Sequence, residues 1–138
     1  MSGSEDLSDI VDEWLTRAAE DLLVAERLLA QEDISPLATI CFHAHQCVEK
    51  TLKALLTKHG LRFPRTHDLM ELLLLIPKAV GLELTLADLG QLTRYAVESR
   101  YPGEWEPISQ LEAEAAVHIA QTVSAAALAR LDPGATQA

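Results

Sequence analysis

Between Pro36 and Gly60 nothing in the chain interrupts a helix, and this run, SPLATICFHAHQCVEKTLKALLTKHG from Ser35, limits the fold more than any other stretch. Ser35 reads as its N-cap, Pro36 as its first helical residue and Gly60 as a left-handed C-terminal stop, giving roughly seven turns. At helical spacing Leu37, Ile40, Cys41, Ala44, Cys47, Val48, Leu52 and Leu55 share one broad arc, the expected core face. The opposite arc carries His43, Gln46, Glu49, Lys50 and Lys53. Phe42 lies among these polar residues and lines up with Ala38 and Leu56 in a second apolar stripe. A helix apolar on one side and half apolar on the other belongs at a bundle centre or a subunit interface. The stripe of Ala38, Phe42 and Leu56 is therefore the expected contact surface of a two-fold homodimer.

A chain of 138 residues with 49 % apolar residues and only 4 % aromatics, dominated by Leu and Ala, favours helix packed on helix over a sheet. The N-terminus is acidic and polar, unlike a secretory signal, and the longest apolar run, Leu72 to Ile76, is too short to cross a bilayer. Cys41 and Cys47 sit on one helix with about 9 Å of rise between them, too far for a disulfide, and read as reduced core thiols of a cytoplasmic protein. A net charge of -10 weighs against tight non-specific nucleic-acid binding. The charge is uneven, however. Residues 1–33 hold ten acids against Arg17 and Arg27, whereas residues 50–67 hold Lys50, Lys53, Lys58, Arg62 and Arg65 with no acid. Such polarity is either a solvated face or a local anion site.

Helix one is expected from about Ser8 to Gln31, with Ile10, Trp14, Ala18, Leu22, Ala25 and Leu29 on its apolar stripe and Asp21 projecting into the same arc. A carboxylate aimed at a core needs a partner or a route to water. After Gly60, Pro64 stops further helix, Thr66 or Asp68 caps a short third helix ending near Pro77, and Thr85 with Asp88 forms a capping box for a fourth, roughly Leu86 to Ser99. Arg100 falls near the angle of Leu89 and Ala96 on that helix, which makes it the expected inward-facing partner of Asp21, supported by Tyr95 or Tyr101. Ser109 and Glu112 cap the last long helix, running to about Leu131. The expectation is an all-α protein, an antiparallel bundle of four long helices plus one short helix over residues 8–131, with flexible termini at 1–7 and 132–138.

No phosphate-loop, dinucleotide or nucleophile-elbow motif is present, and the serines lie at caps and tails, away from a histidine. His43 and His45 diverge by about 200° around the helix and cannot share an ion, so no metal site and no cofactor is expected; His45, at the edge of the apolar arc, reads as a hydrogen-bonded core histidine. The remaining constellation is anionic-ligand chemistry. His43, Gln46 and Lys50 share a helix face with Lys53 nearby, and Arg65-Thr66-His67 leads into the next helix N-terminus, where guanidinium, imidazole and backbone N–H groups could hold a phosphate.

FHAHQCVEKTLKALL followed by GLRFPRTHDLMELL resembles the prokaryotic HEPN domain, in which FHAQQAAEKALKALL leads into a PRTHDL loop. The A-x-x-D-L of the tryptophan helix and the later R-Y-P fall in the family's order, so the resemblance covers roughly residues 9–130. It implies a HEPN-like fold, nucleotide or RNA binding and a dimer, with Arg100 and Tyr101 placed beside the ligand residues. The family's ribonucleases carry R-x4-6-H at the start of the last long helix. Here Arg100 matches the arginine, but Trp105, Glu106 and Pro107 occupy the histidine's positions, and the spacing from Arg62 to His67 falls in a different loop. Without that histidine no base for a ribose 2′-hydroxyl is evident. The resemblance is to HEPN proteins that pair with a nucleotidyltransferase-fold protein in toxin–antitoxin-like modules. Two rivals remain: an RNA endonuclease using Arg100, and a purely structural dimeric bundle.

Overall fold

The computed structural model describes residues 3–31, 33, 35–96 and 107–131. Helix α1 spans Gly3–Leu29, α2 Leu37–Lys58, α3 Leu69–Leu75, α4 Leu86–Thr93 and α5 Gln110–Leu131, with a 3₁₀ turn at Lys78–Val80 and no strand among the described residues. The fold is all-α. Helix α2 is its centre: α1 packs along one side, α5 along another, and α3 and α4 cover part of the remainder. From Thr51 to Thr57 every α2 residue is buried, because three sets of neighbours surround that half of the helix.

Helix α1 meets α2 through a seam of Val11, Trp14, Ala18, Asp21, Ala25 and Leu28, a 3-4 spacing that keeps one stripe against a neighbouring helix. Ile10, expected on this stripe, is 44 % exposed because Val11 takes the inward position. Residues 3–7, expected as a loose leader, belong to α1, since no helix breaker separates them from the rest of that helix.

The cap of α2 at Gly60 matches the sequence expectation and has a definite geometry. Gly60 is left-handed at φ 68°, its N–H donates to Thr57 O at 3.0 Å, and the Leu61 N–H donates to Leu56 O at 2.9 Å. These are the two bonds of a Schellman motif. At the other end Pro36, not Ser35, occupies the N-cap, with no side-chain cap bond. Asp68 caps α3, Thr85 caps α4, and Ser109 accepts from the Glu112 N–H at 3.0 Å ahead of α5.

Helix α4 ends at Thr93, short of the expected Ser99. The chain leaves through i→i+3 turns at Tyr95 and Ala96 while the Tyr95 hydroxyl donates to Glu112 of α5. Gly90 lets α3 approach: a Cβ there would lie 3.4 Å from Met70 Sδ. On α5, Ala113, Ala116, Ala120 and Ala127 are buried, and their small size permits close packing on α2. Arg130 closes the far end. Its guanidinium donates to the carbonyls of Val80, Gly81 and Ala126.

Leu56 is wholly buried within the chain. The second apolar stripe of α2 therefore does not run along a free surface: Ala38 is exposed, Phe42 half-buried, and Leu56 belongs to the core because α2 is enclosed at that level.

Candidate functional site

Two carboxylates organise the polar side of α2. Asp21, buried in the α1 seam, holds one α2 side chain on each oxygen. His43 Nδ1–H donates to Oδ1 at 2.8 Å and Lys50 Nζ donates to Oδ2 at 2.6 Å. An ionised carboxylate only accepts, which places the histidine proton on Nδ1. Glu49, itself on α2 and 4 % exposed, repeats the pattern. His67 Nδ1–H donates to its Oε1 at 2.8 Å, and Lys53 Nζ donates to its Oε2 at 2.9 Å. Lys53 is 7 % exposed and lies over two rings, 5.5 Å from the centroid of Trp14 on α1 and 5.9 Å from that of Phe63 in the following loop. The ring faces favour a cation that has lost most of its water.

His45 sits between these clusters with no exposure. Its Nε2–H donates to the backbone carbonyl of His67 at 2.8 Å, and its Nδ1 accepts from Gln46 Nε2 at 3.4 Å. Burial lowers its pKa from the usual 6.5. It is therefore neutral at pH 7, and the 3.9 Å approach of its Nδ1 to Glu49 is not an ion pair. The loop of residues 61–68 is thus tied to α2 by its backbone at His67 O and by its side chain at His67 Nδ1. Two further bonds order it: the Asp68 N–H donates to Thr66 Oγ1 and the Leu69 N–H to Thr93 Oγ1. From this pinned loop Arg62, Arg65 and His67 reach out, all exposed, with Lys58 and His59 exposed just before them.

Thiol chemistry has no place here. Burial pushes the Cys41 thiol up to about 11 and that of Cys47 to about 12, so both stay protonated at neutral pH. Among the described residues no group of three His, Cys, Asp or Glu side chains could hold a metal ion, and no helix is long and apolar enough to cross a membrane.

A family model described as "HEPN domain" matches residues 11–130, most of the chain. The chain belongs to the HEPN family. Among solved structures it is similar to TT1696 from Thermus thermophilus, at 26 % identity and a TM-score of 0.70, with 87 % of this chain and 97 % of that one covered. A search of curated proteins found no match.

Within this HEPN domain the residues grouped by sequence are brought together only in part. His43 and Lys50 meet through Asp21, and Lys53 and His67 meet through Glu49, while Gln46 turns to His45. Four of the expected anion ligands thus already have a carboxylate of the same chain. Arg65 stands apart on the loop. Arg100 and Tyr101, and with them positions 105 and 106, lie outside the described residues; Asp21 itself has both oxygens occupied by α2 side chains. Sequence reasoning passed over Glu49 as a surface residue of the polar arc and did not foresee Phe63 and Trp14 around Lys53. The i to i+4 spacing of His45, Glu49 and Lys53 was the available signal.

Proposed function

We propose that this HEPN domain is a binding module whose 61–68 loop, pinned through His67 to Glu49, presents Arg62 and Arg65 to a phosphate-bearing ligand, a nucleotide or RNA. The observation that supports it is the contrast between the two sets of cations. Lys50 and Lys53 are neutralised by Asp21 and Glu49, so they hold the scaffold together and leave no charge for a ligand. The two loop arginines are exposed on a segment that His45 and Glu49 fix in place. Fixing a loop before binding removes part of the ordering cost, and arginine suits the planar, bidentate recognition of phosphate. In this reading Lys53 and Gln46 support the loop through Glu49 and His45, while His43 and Lys50 tie α2 to Asp21 of α1, and none of the four is a direct ligand.

The same proposal makes the domain a binding partner and not a nuclease, because the arginine-histidine motif of the family's ribonucleases is incomplete at positions 105–107. It places the module beside a nucleotidyltransferase-fold protein in a toxin–antitoxin-like pair, as the resemblance of its motifs implies.

The test is thermal denaturation with ATP, GTP, inorganic polyphosphate and a short RNA. At least one should raise the melting temperature, since a ligand that binds only the native state stabilises it, by about 2.7 kcal/mol at a hundred times its Kd. The shift should shrink with added salt and fall by more than half in Arg62→Ala/Arg65→Ala. No shift with any of the four at millimolar concentration overturns the reading, as does an equal shift in the double variant.

A further inference from the structure

The protein has five histidines, and their ring nitrogens are engaged differently. Both nitrogens of His45 are bonded and its ring is wholly buried. His59 and His118 are exposed, and neither side chain bonds to a described residue. His43 and His67 each donate Nδ1–H to a carboxylate, at 2.8 Å in both cases, so the free lone pair of each ring lies on Nε2. They differ in access: the His43 side chain is 25 % exposed and that of His67 66 %. Behind His67 stands the buried Glu49, whose second oxygen is held by Lys53 at 2.9 Å. The backbone is anchored too, since the His67 carbonyl accepts from His45 Nε2–H. His67 alone among the five joins a largely exposed ring and an open Nε2 to an Nδ1–H held by a buried carboxylate. Arg62 and Arg65, exposed on the same loop, concentrate positive charge in a chain whose net charge is -10.

We propose that His67 Nε2 is a phosphoryl-acceptor site, taking the group from a small high-energy donor of the phosphoramidate or acyl phosphate class. The Nε2 lone pair forms the new bond to phosphorus as the bond from phosphorus to the leaving atom breaks. That electron pair departs with the leaving group, ammonia from a phosphoramidate or a carboxylate from an acyl phosphate. No proton has to leave the ring. The positive charge that develops on the imidazole is met by Glu49 through Nδ1–H, as a buried carboxylate stabilises an imidazolium in a histidine-carboxylate pair. Glu49 is here a positioning residue, and Lys53 keeps its carboxylate in place. The two arginines draw an anionic donor towards the loop. Because Nδ1 is occupied, the phosphoryl group belongs on Nε2. The inference shares a loop with the proposed phosphate site but not its premise. Labelling of His67 without a melting shift from any ligand would remove that reading and leave this one standing.

Incubation of the full chain with phosphoramidate, and separately with acetyl phosphate, at neutral pH tests it. Peptide mass spectrometry reads the residue, and phosphorus NMR on a chain with nitrogen-15 histidine reads the ring atom. His67 should be labelled roughly ten-fold or more faster than His59 and His118, which serve as unassisted imidazoles in the same chain. The new bond should be at Nε2, lost in acid and kept in alkali. His67→Gln should abolish this label and leave those of His59 and His118 as before. Glu49→Gln, which keeps an acceptor but not the charge, should slow labelling of His67 by roughly ten-fold and alter no other site. If that variant does not fold, the site preference and the ring atom in the parent chain decide the matter. Labelling of His67 by only one of the two probes assigns the donor class, and by neither at millimolar concentration overturns the proposal. So does equal labelling of His59, His118 and His67, a phosphoryl group on Nδ1 of His67, or an unchanged rate in folded Glu49→Gln.

Discussion

Glu49→Ala should lower stability to denaturant by about 3 kcal/mol, near the lower end of the range for breaking a buried pair. The loss is large because of what remains. Lys53, 7 % exposed, keeps its charge but loses the carboxylate that pairs it, and His67 loses the acceptor that orients its ring. The faces of Trp14 and Phe63 still attract the ammonium, which moderates the penalty. In melting temperature the change is about 10 °C for a chain of this size. Glu49→Leu/Lys53→Met should recover much of the loss, since apolar residues of similar volume need no partner. Urea unfolding of the parent chain and both variants decides the matter: a loss under about 1 kcal/mol for Glu49→Ala would show the pair to behave as an exposed one.

His45→Ala should cost about 2–4 kcal/mol, combining the void left by a fully buried ring with a His67 carbonyl that loses its donor. His45 also confers a definite pH dependence. Its pKa is lowered in the folded chain by burial and stands near 6.5 in the unfolded one. Above pH 6.5 both states are neutral and its full contribution to stability is present. As pH falls below 6.5 the unfolded chain takes up a proton that the native one resists, and stability declines by up to about 1.4 kcal/mol per pH unit until the folded pKa is passed. His45→Gln, which cannot titrate, should show a shallower loss between pH 7 and pH 5 by chemical denaturation. Equal slopes in the two proteins would remove His45 from the account.

The order of helices was readable because caps and spacing act locally. Gly60, Asp68, Thr85 and Ser109 each mark a boundary through bonds to residues within a few positions. The length of α4 was not readable, because Tyr95 is drawn to Glu112, 17 residues away, and that attraction leaves no trace in helical periodicity. The candidate site divides along the same line. His43, Lys50, Lys53 and His67 could be grouped from spacing, but their pairing with Asp21 and Glu49 depends on how α1 and the 61–68 loop lie against α2. Leu56 is the clearest case. On a helical wheel it joins Phe42 on the polar side, and only the enclosure of α2 by α1, α3, α4 and α5 makes that side interior.

Arg130 links parts of the chain that would otherwise open independently. One guanidinium grips the carbonyls of Val80 and Gly81 between the two short helices, 50 and 49 residues away, as well as Ala126 in its own helix. The excursion from α3 to α4 is held at its other edge by Thr93, whose hydroxyl accepts from the Leu69 N–H. Fluctuations that lift these two helices must break the bonds of Arg130 to Val80 and Gly81, which couples them to the end of α5. Amide exchange in the two regions is therefore expected to be coupled, and Arg130→Ala should raise exchange around Val80 and Gly81.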